Sequence, residues 1–424
     1  MPGAVADRDV VVGWRTSSGR PQPSAARRSC GAPSSGGRAF VLEGSTTRFV
    51  RLRVVCAIAG VTALAGAAVT DAPAFRGAVD QGWSPFVLIA GLLAVGAVVH
   101  EAGLFDAIGH RVGGVRGPHT LALILMLLLV AATTAVLNLD TAAAFLTPVA
   151  VVAARRRGVR VDSFLYGTLF MTNSASLLLP GSNLTNLLVL GREPVTGARF
   201  ASRMWPAFVV AVVVTAGVMV VWRWRDLGMR PQWTEEASPR VSVLAVVAVA
   251  VVAVVVVATR SPALPVFLLA VAMSSGAVAV GRVSWRRMID AVDPLMLIGL
   301  FGLAVALGTA ARAWAAGQGT LGASNRAVVV GVAAVMTVLI NNLPAAAVLS
   351  ARGVVHPRAL LLGLNLGPNL AVTGSLSAFV WIKVARAVDA EPDWRQVTRI
   401  GLVLVPLTLA SSAVALATLA PHGL

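Results

Sequence analysis

Charge and cysteine are both scarce in this sequence. Only 12% of the 424 residues are charged, whereas 57% are apolar. A soluble domain carries about 25% charged residues, so the shortage excludes an ordinary water-soluble domain. The two cysteines, Cys30 and Cys56, exclude a disulfide framework and a cysteine metal site. No P-loop pattern occurs, so we expect no ATP hydrolysis by this chain and predict no cofactor.

Basic residues nevertheless outnumber acidic ones, 35 to 18. Nucleic-acid binders place such residues on a polar surface, and this chain has little polar surface, so we exclude nucleic acid as a partner. The arginines instead predict the orientation of a protein that spans the lipid bilayer of the inner membrane.

Two kinds of segment follow one another along the chain. Residues 1–50 are rich in Gly, Ser, Pro and Arg, which predicts a disordered basic tail. From about residue 53 the chain contains apolar stretches of roughly the 20 residues that cross a bilayer. Simple spans are predicted at 53–70, 85–104, 205–222, 241–259, 263–280, 292–312 and 399–419. Two further apolar regions, 118–190 and 325–388, are interrupted by Asn, Pro, Gly, Ser and Thr.

Arginine placement predicts the topology. Arginines before the first span place the N-terminus in the cytoplasm. Basic clusters on both sides of residues 118–154 place both ends of this stretch in the cytoplasm, so it is either a re-entrant helical hairpin or a pair of close-packed spans. The same count places a second hairpin, 325–351, with its ends outside. Four arginines fall outside, against the rule: Arg199, Arg203, Arg352 and Arg358.

The two interrupted regions resemble each other. V-L-N-L-D-T-A-A-A-F-L (136–146) corresponds to V-L-I-N-N-L-P-A-A-A-V-L (338–349). Each is followed by a basic linker and a broken span, 163–190 or 359–388. Because an odd number of crossings separates the copies, they have opposite orientation, as in the inverted repeats of secondary transporters. The predicted fold is therefore an all-α polytopic membrane protein with two inverted repeats, each holding a re-entrant helical hairpin and a broken transmembrane helix.

These features divide the chain into predicted regions. A first span and link cover 51–84, and a central loop with linking spans covers 223–291. The first repeat covers 85–222, and the second covers 292–420.

The breaks predict a cavity for a polar solute. Unwound backbone in hydrocarbon leaves polar groups unpaired unless it lines an enclosed cavity. A single break has the simpler reading of a kink that neighbouring helices satisfy, but four breaks in repeated pairs favour a binding site. The predicted solute-binding residues are the tips Asn138, Thr141, Asn341 and Asn342, which we expect to face each other, and the unwound segments Ser182, Asn183, Thr185, Asn186, Asn369, Thr373, Gly374 and Ser375.

Two acidic residues are candidates for ion coupling. Asp140 is the acidic residue that lies deep inside a predicted membrane segment, and intramembrane carboxylates are usually functional. It either carries a proton or coordinates a cation, or it only braces the hairpin tip. Glu101, beside His100 at the inner end of a span, either relays protons or caps a helix.

The interrupted regions carry the motifs of a known family. N-L-D-T-A-A-A-F-L-T-P (138–148), S-A-S-L-L-L-P-G-S-N-L-T-N (174–186), I-N-N-L-P-A-A-A (340–347) and L-G-P-N-L-A-V-T-G-S-L-S-A (366–378) resemble the tips and broken spans of the ArsB arsenical pump membrane proteins, as does H-E-A-G-L-F (100–105). This family belongs to the ion transporter superfamily. Citrate and dicarboxylate permeases and NhaD-type sodium/proton antiporters share the layout.

The resemblance implies arsenite or antimonite efflux in exchange for protons. It also implies a scaffold that holds a mobile transport part, a separate ATPase subunit for any ATP dependence, and a homodimer. The alternatives are a sodium- or proton-coupled permease for an inorganic or organic anion, a sodium/proton antiporter, and a membrane-embedded enzyme. The enzyme hypothesis is the weakest, because no His or Cys accompanies Asp140 at membrane depth. One departure from the family is the presence of Asn173 and Asn365 where its members often carry Asp.

Overall fold

The described part of the structure, a computed structural model, is helical. It comprises residues 46–191, 195–227, 241–314, 325–352 and 354–419, all within one compact unit, Gly44–Leu424. The predicted tail 1–50 lies outside these residues except for its last five, which belong to the first helix. Residues 228–240 of the predicted central loop also lie outside them.

The α-helices are, in chain order, α1 Thr46–Thr70, α2 Ala72–Glu101, α3 Leu104–Gly113, α4 His119–Val136, α5 Leu139–Arg156, α6 Asp162–Ala175, α7 Leu184–Leu190, α8 Gly197–Trp222, α9 Trp224–Leu227, α10 Val243–Ala258, α11 Ala263–Ala279, α12 Trp285–Val292, α13 Pro294–Ala313, α14 Arg326–Ile340, α15 Asn342–Leu349, α16 Pro357–Leu366, α17 Leu376–Ala387 and α18 Trp394–Leu419. Short 3₁₀ turns lie at Pro180–Ser182, Gly367–Leu370 and Val372–Gly374.

Six stretches among the described residues are long and apolar enough to cross a membrane: Arg53–Thr70, Ala72–Glu101, His119–Val136, Gly197–Trp222, Trp285–Ala313 and Trp394–Leu419. Their outer faces carry exposed large apolar side chains, among them Val213 and Leu402. Lipid explains such exposure, which would be unfavourable in water. The predicted all-α polytopic fold is therefore confirmed.

The link predicted at 71–84 is wrong, because these residues form the beginning of α2. The carboxylate of Asp71 accepts a hydrogen bond from the backbone N–H of Ala74 at 2.9 Å and caps the helix. Pro73 follows in the first turn, where its missing N–H has no cost. A hydropathy pattern locates the apolar stretch of a helix but not this polar start.

Each interrupted region contains two helix breaks. In the first region, α4 ends before Asn138 and α6 ends before the turn Pro180–Ser182. In the second, α14 ends at Asn341, and α16 is followed by the two 3₁₀ turns. Asn341 has φ = 75° and ψ = 154°, a positive-φ extended conformation that residues other than glycine rarely adopt. The helix pairs α4–α5 and α14–α15 occupy the segments predicted as hairpins.

Each interrupted region packs one hairpin arm against its own broken span and the other arm against the broken span of the other region. The first arm of each hairpin contacts the first half of its own broken span, α4 on α6 and α14 on α16. The second arm contacts the second half of the other broken span, α5 on α17 and α15 on α7. This reciprocal packing has the two-fold character of an inverted repeat. The repeat itself stays a prediction, which these contacts support.

The first arm of the second hairpin, α14, packs closely against the 3₁₀ turn that follows α16 in the second broken span. A Cβ atom on Gly367 would lie 2.6 Å from the Cα of Ala334 and 2.7 Å from Oγ1 of Thr337. Only glycine therefore permits this approach, as is common where membrane helices pack through small residues.

Gln81 connects the long helix α2 to the outer ends of two half-helices. Its Nε2 donates to the carbonyl oxygen of Leu188 in α7 at 2.5 Å and to Oγ of Ser350, after α15, at 3.0 Å. Its Oε1 accepts a hydrogen bond from Arg312 of α13. All three side chains are buried.

Candidate functional site

The two broken spans meet in a cluster of buried amide and hydroxyl side chains. Nδ2 of Asn173, near the end of α6, donates to Oδ1 of Asn369 at 2.9 Å. Nδ2 of Asn369 in turn donates to the carbonyl oxygen of Phe170 and to Oγ of Ser174, both at 3.2 Å. Because Asn173 and Asn369 belong to different interrupted regions, these bonds join the two halves of the chain.

Asn365 is fully hydrogen-bonded at the centre of this cluster. Its Oδ1 accepts from Oγ of Ser176 at 2.6 Å and from Nδ2 of Asn183 at 2.7 Å. Its Nδ2 donates to Oδ1 of Asn186 at 2.7 Å and to the carbonyl oxygen of Leu361 at 2.8 Å. An aspartate could not make the last two bonds as a carboxylate, because it has no donor. The departure from the family pattern at this position is thus part of a complete neutral network.

Side chains from the first broken span also satisfy its unwound backbone. The single hydroxyl hydrogen of Ser182 is shared between the carbonyl oxygens of Ser176 and Leu179, each 2.5 Å from Oγ. Nδ2 of Asn186 donates to the carbonyl oxygen of Ser176 at 2.7 Å. These carbonyls have left the helical ladder, and without partners each would be costly at membrane depth.

Asp140 lies in the first turn of α5, directly behind the first tip. Asn138 caps this helix by accepting from the backbone N–H of Thr141 at 2.6 Å. The positive end of the helix dipole favours the charged form of a carboxylate in this turn. Asp140 is half-buried and makes no hydrogen bond or ion pair with the described residues. It is therefore available to a proton or a cation.

Most buried threonines satisfy their hydroxyl groups within their own helices. The hydroxyls donate to backbone carbonyls three or four residues earlier, the usual arrangement for threonine in a membrane helix. Those that do so include Thr147, Thr168, Thr172, Thr309, Thr337 and Thr408.

Buried polar side chains at the first hairpin tip and at the break within the first broken span do not follow this pattern. Five buried side-chain atoms there have no hydrogen-bond partner, although buried polar atoms are nearly always paired. All five belong to residues that are at most 1% exposed. They are Oγ1 of Thr134, Nδ2 of Asn138, Oγ1 of Thr141, Oδ1 of Asn173 and Oγ1 of Thr185. This set, which we call the unpaired polar set, contains both hydrogen-bond donors and acceptors.

The corresponding part of the second region is satisfied internally. Nδ2 of Asn341 donates to the carbonyl oxygen of Thr373 at 3.0 Å, and Oγ1 of Thr373 donates to that of Val338 at 3.0 Å. The hydroxyls of Ser375 and Ser377 share a hydrogen bond of 2.8 Å. The two halves of the predicted site are thus unequal in what they offer a solute.

The remaining predicted residues have mainly packing contacts. Asn342 is buried in the first turn of α15. Gly374 packs on Pro368, where an added Cβ would lie 2.5 Å from the Cα atom. Among the described residues no hydrogen bond joins the first tip to the second, so the polar connection between the halves runs through the broken spans. The tip-to-tip arrangement stays a prediction.

Glu101 lies at the surface rather than in the cluster. Its carboxylate forms an ion pair with Arg287 of α12 at 3.2 Å. The neighbouring His100 stacks on Phe145 of α5, with ring centroids 4.6 Å apart. The coupling role of Glu101 stays a prediction.

Sequence reasoning did not place Asn173, Asn365, Ser176 and Thr134 among the site residues. A signal for the first two was present, since both stand where the resembled family often has aspartate. Thr134 had none, because a threonine near the end of an apolar helix ordinarily bonds within that helix.

Comparison with known proteins identifies the class. The family model CitMHS, described as citrate transporter, matches residues 39–374. An uncharacterized transporter of Mycobacterium tuberculosis is 23% identical over 408 residues, which cover 87% of this chain and 94% of that protein. The arsenical pump membrane protein of Yersinia enterocolitica is 25% identical over 387 residues, covering 80% of this chain and 86% of the pump.

The fold also resembles a solved structure. The YdaH transporter of Alcanivorax borkumensis, described as having an unusual topology, matches with a TM-score of 0.50 and 14% sequence identity. The match covers 88% of this chain and 89% of that one. At this identity the likeness concerns the fold alone.

Proposed function

This chain belongs to the CitMHS citrate transporter family and is a membrane transporter, and we propose that it exports arsenite or antimonite from the cell in exchange for protons. In a family of transporters the enzyme alternative has no support. The proposed place of action is the inner membrane, with the N-terminus in the cytoplasm.

The unpaired polar set is the observation that carries this proposal. Five fully buried polar atoms without partners would cost about 1–3 kcal/mol each if no ligand ever satisfied them. Arsenite at neutral pH is a neutral trihydroxide, and each of its hydroxyls both donates and accepts. Such a solute complements three threonine hydroxyls, an amide N–H and an amide oxygen.

The absence of formal charge in the cluster fits the same solute. Where the two broken spans cross, the side chains that hydrogen-bond to one another among the described residues are amides and hydroxyls. A neutral solute has no need of a buried counter-charge, whereas a multiply charged carboxylate would be bound here by dipoles only. The similarity to an arsenical pump is a second, independent support.

Asp140 is the proposed coupling group. It is a carboxylate without a protein partner among the described residues, and Asn138 and Thr141 of the unpaired polar set flank it in sequence. Proton binding and release at Asp140 would change the charge next to the solute. The proton gradient would then drive solute movement through this one group.

An anion permease is the second candidate. The half-helices α5, α7, α15 and α17 all begin at the breaks, so each break carries the positive dipole end of one helix N-terminus. Such ends favour oxyanions, and the family takes its description from citrate transport.

Transport into everted membrane vesicles separates the two candidates. We expect a pH gradient to drive accumulation of arsenite and antimonite, but not of citrate or sulfate, and we expect collapse of the gradient to abolish it. Accumulation of citrate or sulfate without arsenite would overturn the arsenite assignment in favour of the anion permease. Dependence on sodium in place of the pH gradient would overturn the coupling assignment.

A further inference from the structure

Three helices bring four arginines together at one end of the bundle. Arg199 and Arg203 lie one turn apart near the start of α8, Arg326 begins α14, and Arg358 is the second residue of α16. Arg203 is within electrostatic range of Arg199 and Arg358, and Arg358 is within range of Arg326. We call these four residues the outer arginine cluster, because this end is predicted to lie outside.

The position of this cluster is unusual for a membrane protein. Basic residues normally mark the cytoplasmic end of spans, and three of these four, Arg199, Arg203 and Arg358, fall on the outer side of the predicted topology against this rule. The ion pairs among the described residues, such as Arg223–Asp162 and Arg287–Glu101, lie at the opposite end of the helices. None of those ion pairs includes Arg199, Arg203 or Arg326.

Arg203 carries the most specific sign of a missing partner. Its Nη1 atom is fully buried and has no hydrogen-bond partner. The Arg203 side chain as a whole is half-buried, so the unsatisfied group is this one N–H, whose missing acceptor is unfavourable next to other positive charges. An oxyanion would relieve both penalties, since guanidinium groups bind phosphate and carboxylate through paired hydrogen bonds.

The surface beside the cluster has the character of a membrane interface. Trp205, 45% exposed, follows Arg203 on α8, and Val209 and Val213 continue the exposed face along the helix. Tryptophan is enriched at the level of lipid headgroups. The cluster therefore lies at the end of α8 that carries an interfacial tryptophan, and this is the level at which headgroup phosphates lie in a bilayer.

We propose that the outer arginine cluster is an oxyanion-binding site that takes a phosphate or carboxylate group. The group comes either from an anionic phospholipid whose acyl chains lie along α8 or from a soluble anion. This site is separate from the unpaired polar set, and the proposal holds whether or not the transported solute is arsenite.

The test is thermal unfolding of the purified full-length protein in detergent. Cardiolipin or phosphatidylglycerol is titrated against phosphatidylcholine as the lipid arm, and inorganic phosphate and citrate form the soluble arm. We expect a saturable rise in Tm in at least one arm, which weakens at high salt. A rise with anionic lipid alone identifies a headgroup as the ligand, whereas a rise with phosphate or citrate identifies a soluble anion.

Matched variants locate the binding. Arg199→Gln/Arg203→Gln should weaken the apparent affinity about tenfold, which corresponds to roughly 1.4 kcal/mol for lost charged hydrogen bonds. Arg203→Lys keeps the positive charge and should weaken binding less than the double variant does. It also provides a readout if the double variant does not fold. Arg260→Gln changes an exposed arginine at the same end outside the cluster and should bind as wild type. No rise in Tm in either arm, or equal affinity in the cluster variant and the Arg260 variant, would overturn the proposal.

Discussion

Asn173 and Asn369, 196 positions apart in sequence, share a hydrogen bond of 2.9 Å between their side-chain amides. This bond joins the two broken spans at the level where both leave the helical conformation. The crossing is therefore held by neutral groups, whereas the carboxylate of Asp140 belongs to the first turn of α5, after the first hairpin tip. Solute binding and charge change are thus assigned to different residues, and each can be tested alone.

Asn365→Asp tests whether the crossing requires a neutral group. The aspartate loses the donors to Asn186 and Leu361, so we expect a destabilisation of about 3 kcal/mol when it is ionised. The protonated acid still donates one hydrogen bond, so the loss should shrink as the pH falls from 8 to 5. Thermal unfolding in detergent across this range measures the effect.

Asn325→Asp is the matched control for that variant. Asn325 is an exposed N-cap that accepts from the backbone N–H of Val328 at 3.0 Å, a role a carboxylate also fills. Its stability should follow wild type at every pH. A pH-independent loss in Asn365→Asp would show that shape, not charge, governs the crossing.

Asp140→Asn tests the coupling assignment. The amide keeps the size of the side chain but cannot exchange a proton, so solute should no longer accumulate against its gradient in everted vesicles. Exchange without a pH gradient should continue, because the unpaired polar set is unchanged. Asp80→Asn, at an exposed site, serves as the control. Undiminished accumulation in Asp140→Asn would remove this residue from the coupling mechanism.

Glu101→Gln separates the second predicted coupling residue from the first. Glu101 pairs with Arg287 at the surface, and such ion pairs contribute about 0–1 kcal/mol. We therefore expect this variant to retain gradient-driven accumulation. A loss equal to that of Asp140→Asn would instead place Glu101 in the proton pathway.

Arg157→Lys tests how the basic linker after the first hairpin is fixed. Arg157 is 2% exposed and donates to the carbonyl oxygens of Gly113, Val115 and Gly117 at 2.8–3.0 Å. The single ammonium group of lysine cannot reach all three carbonyl oxygens as the planar guanidinium does. The free energy of unfolding should therefore fall by about 1–3 kcal/mol. Arg160→Lys, at an exposed ion pair with Asp162, should change Tm little. Equal Tm values would contradict this role.

The sequence was sufficient to predict the helices that cross the membrane, because lipid imposes a length and an apolar character on each. The predicted span 53–70 thus coincides with the stretch Arg53–Thr70 of the structure. The helix breaks were predictable for a similar reason, since Asn138 and Pro180 carry strong local preferences for caps and turns. The early start of α2 was missed because a cap at Asp71 is a polar signal within a segment that hydropathy marks as a link.

The partners within the site were not predictable. Asn365 bonds to Asn183 and Asn186 across about 180 positions, and this pairing depends on how the two broken spans cross. The inequality of the two halves was equally hidden. Thr134 and Thr337 each stand near the end of an apolar helix, and only their surroundings decide which hydroxyl is satisfied.

The most direct test of the central claim compares two threonines of α5. Thr141 belongs to the unpaired polar set, whereas Oγ1 of Thr147, also fully buried, donates to the carbonyl oxygen of Ala143 at 2.5 Å. The KM for arsenite is measured in everted vesicles for Thr141→Val and Thr147→Val. We predict a KM raised about tenfold in Thr141→Val, as expected for one lost hydrogen bond to the solute, and a wild-type KM in Thr147→Val. The same KM in both variants would contradict solute binding at the first tip.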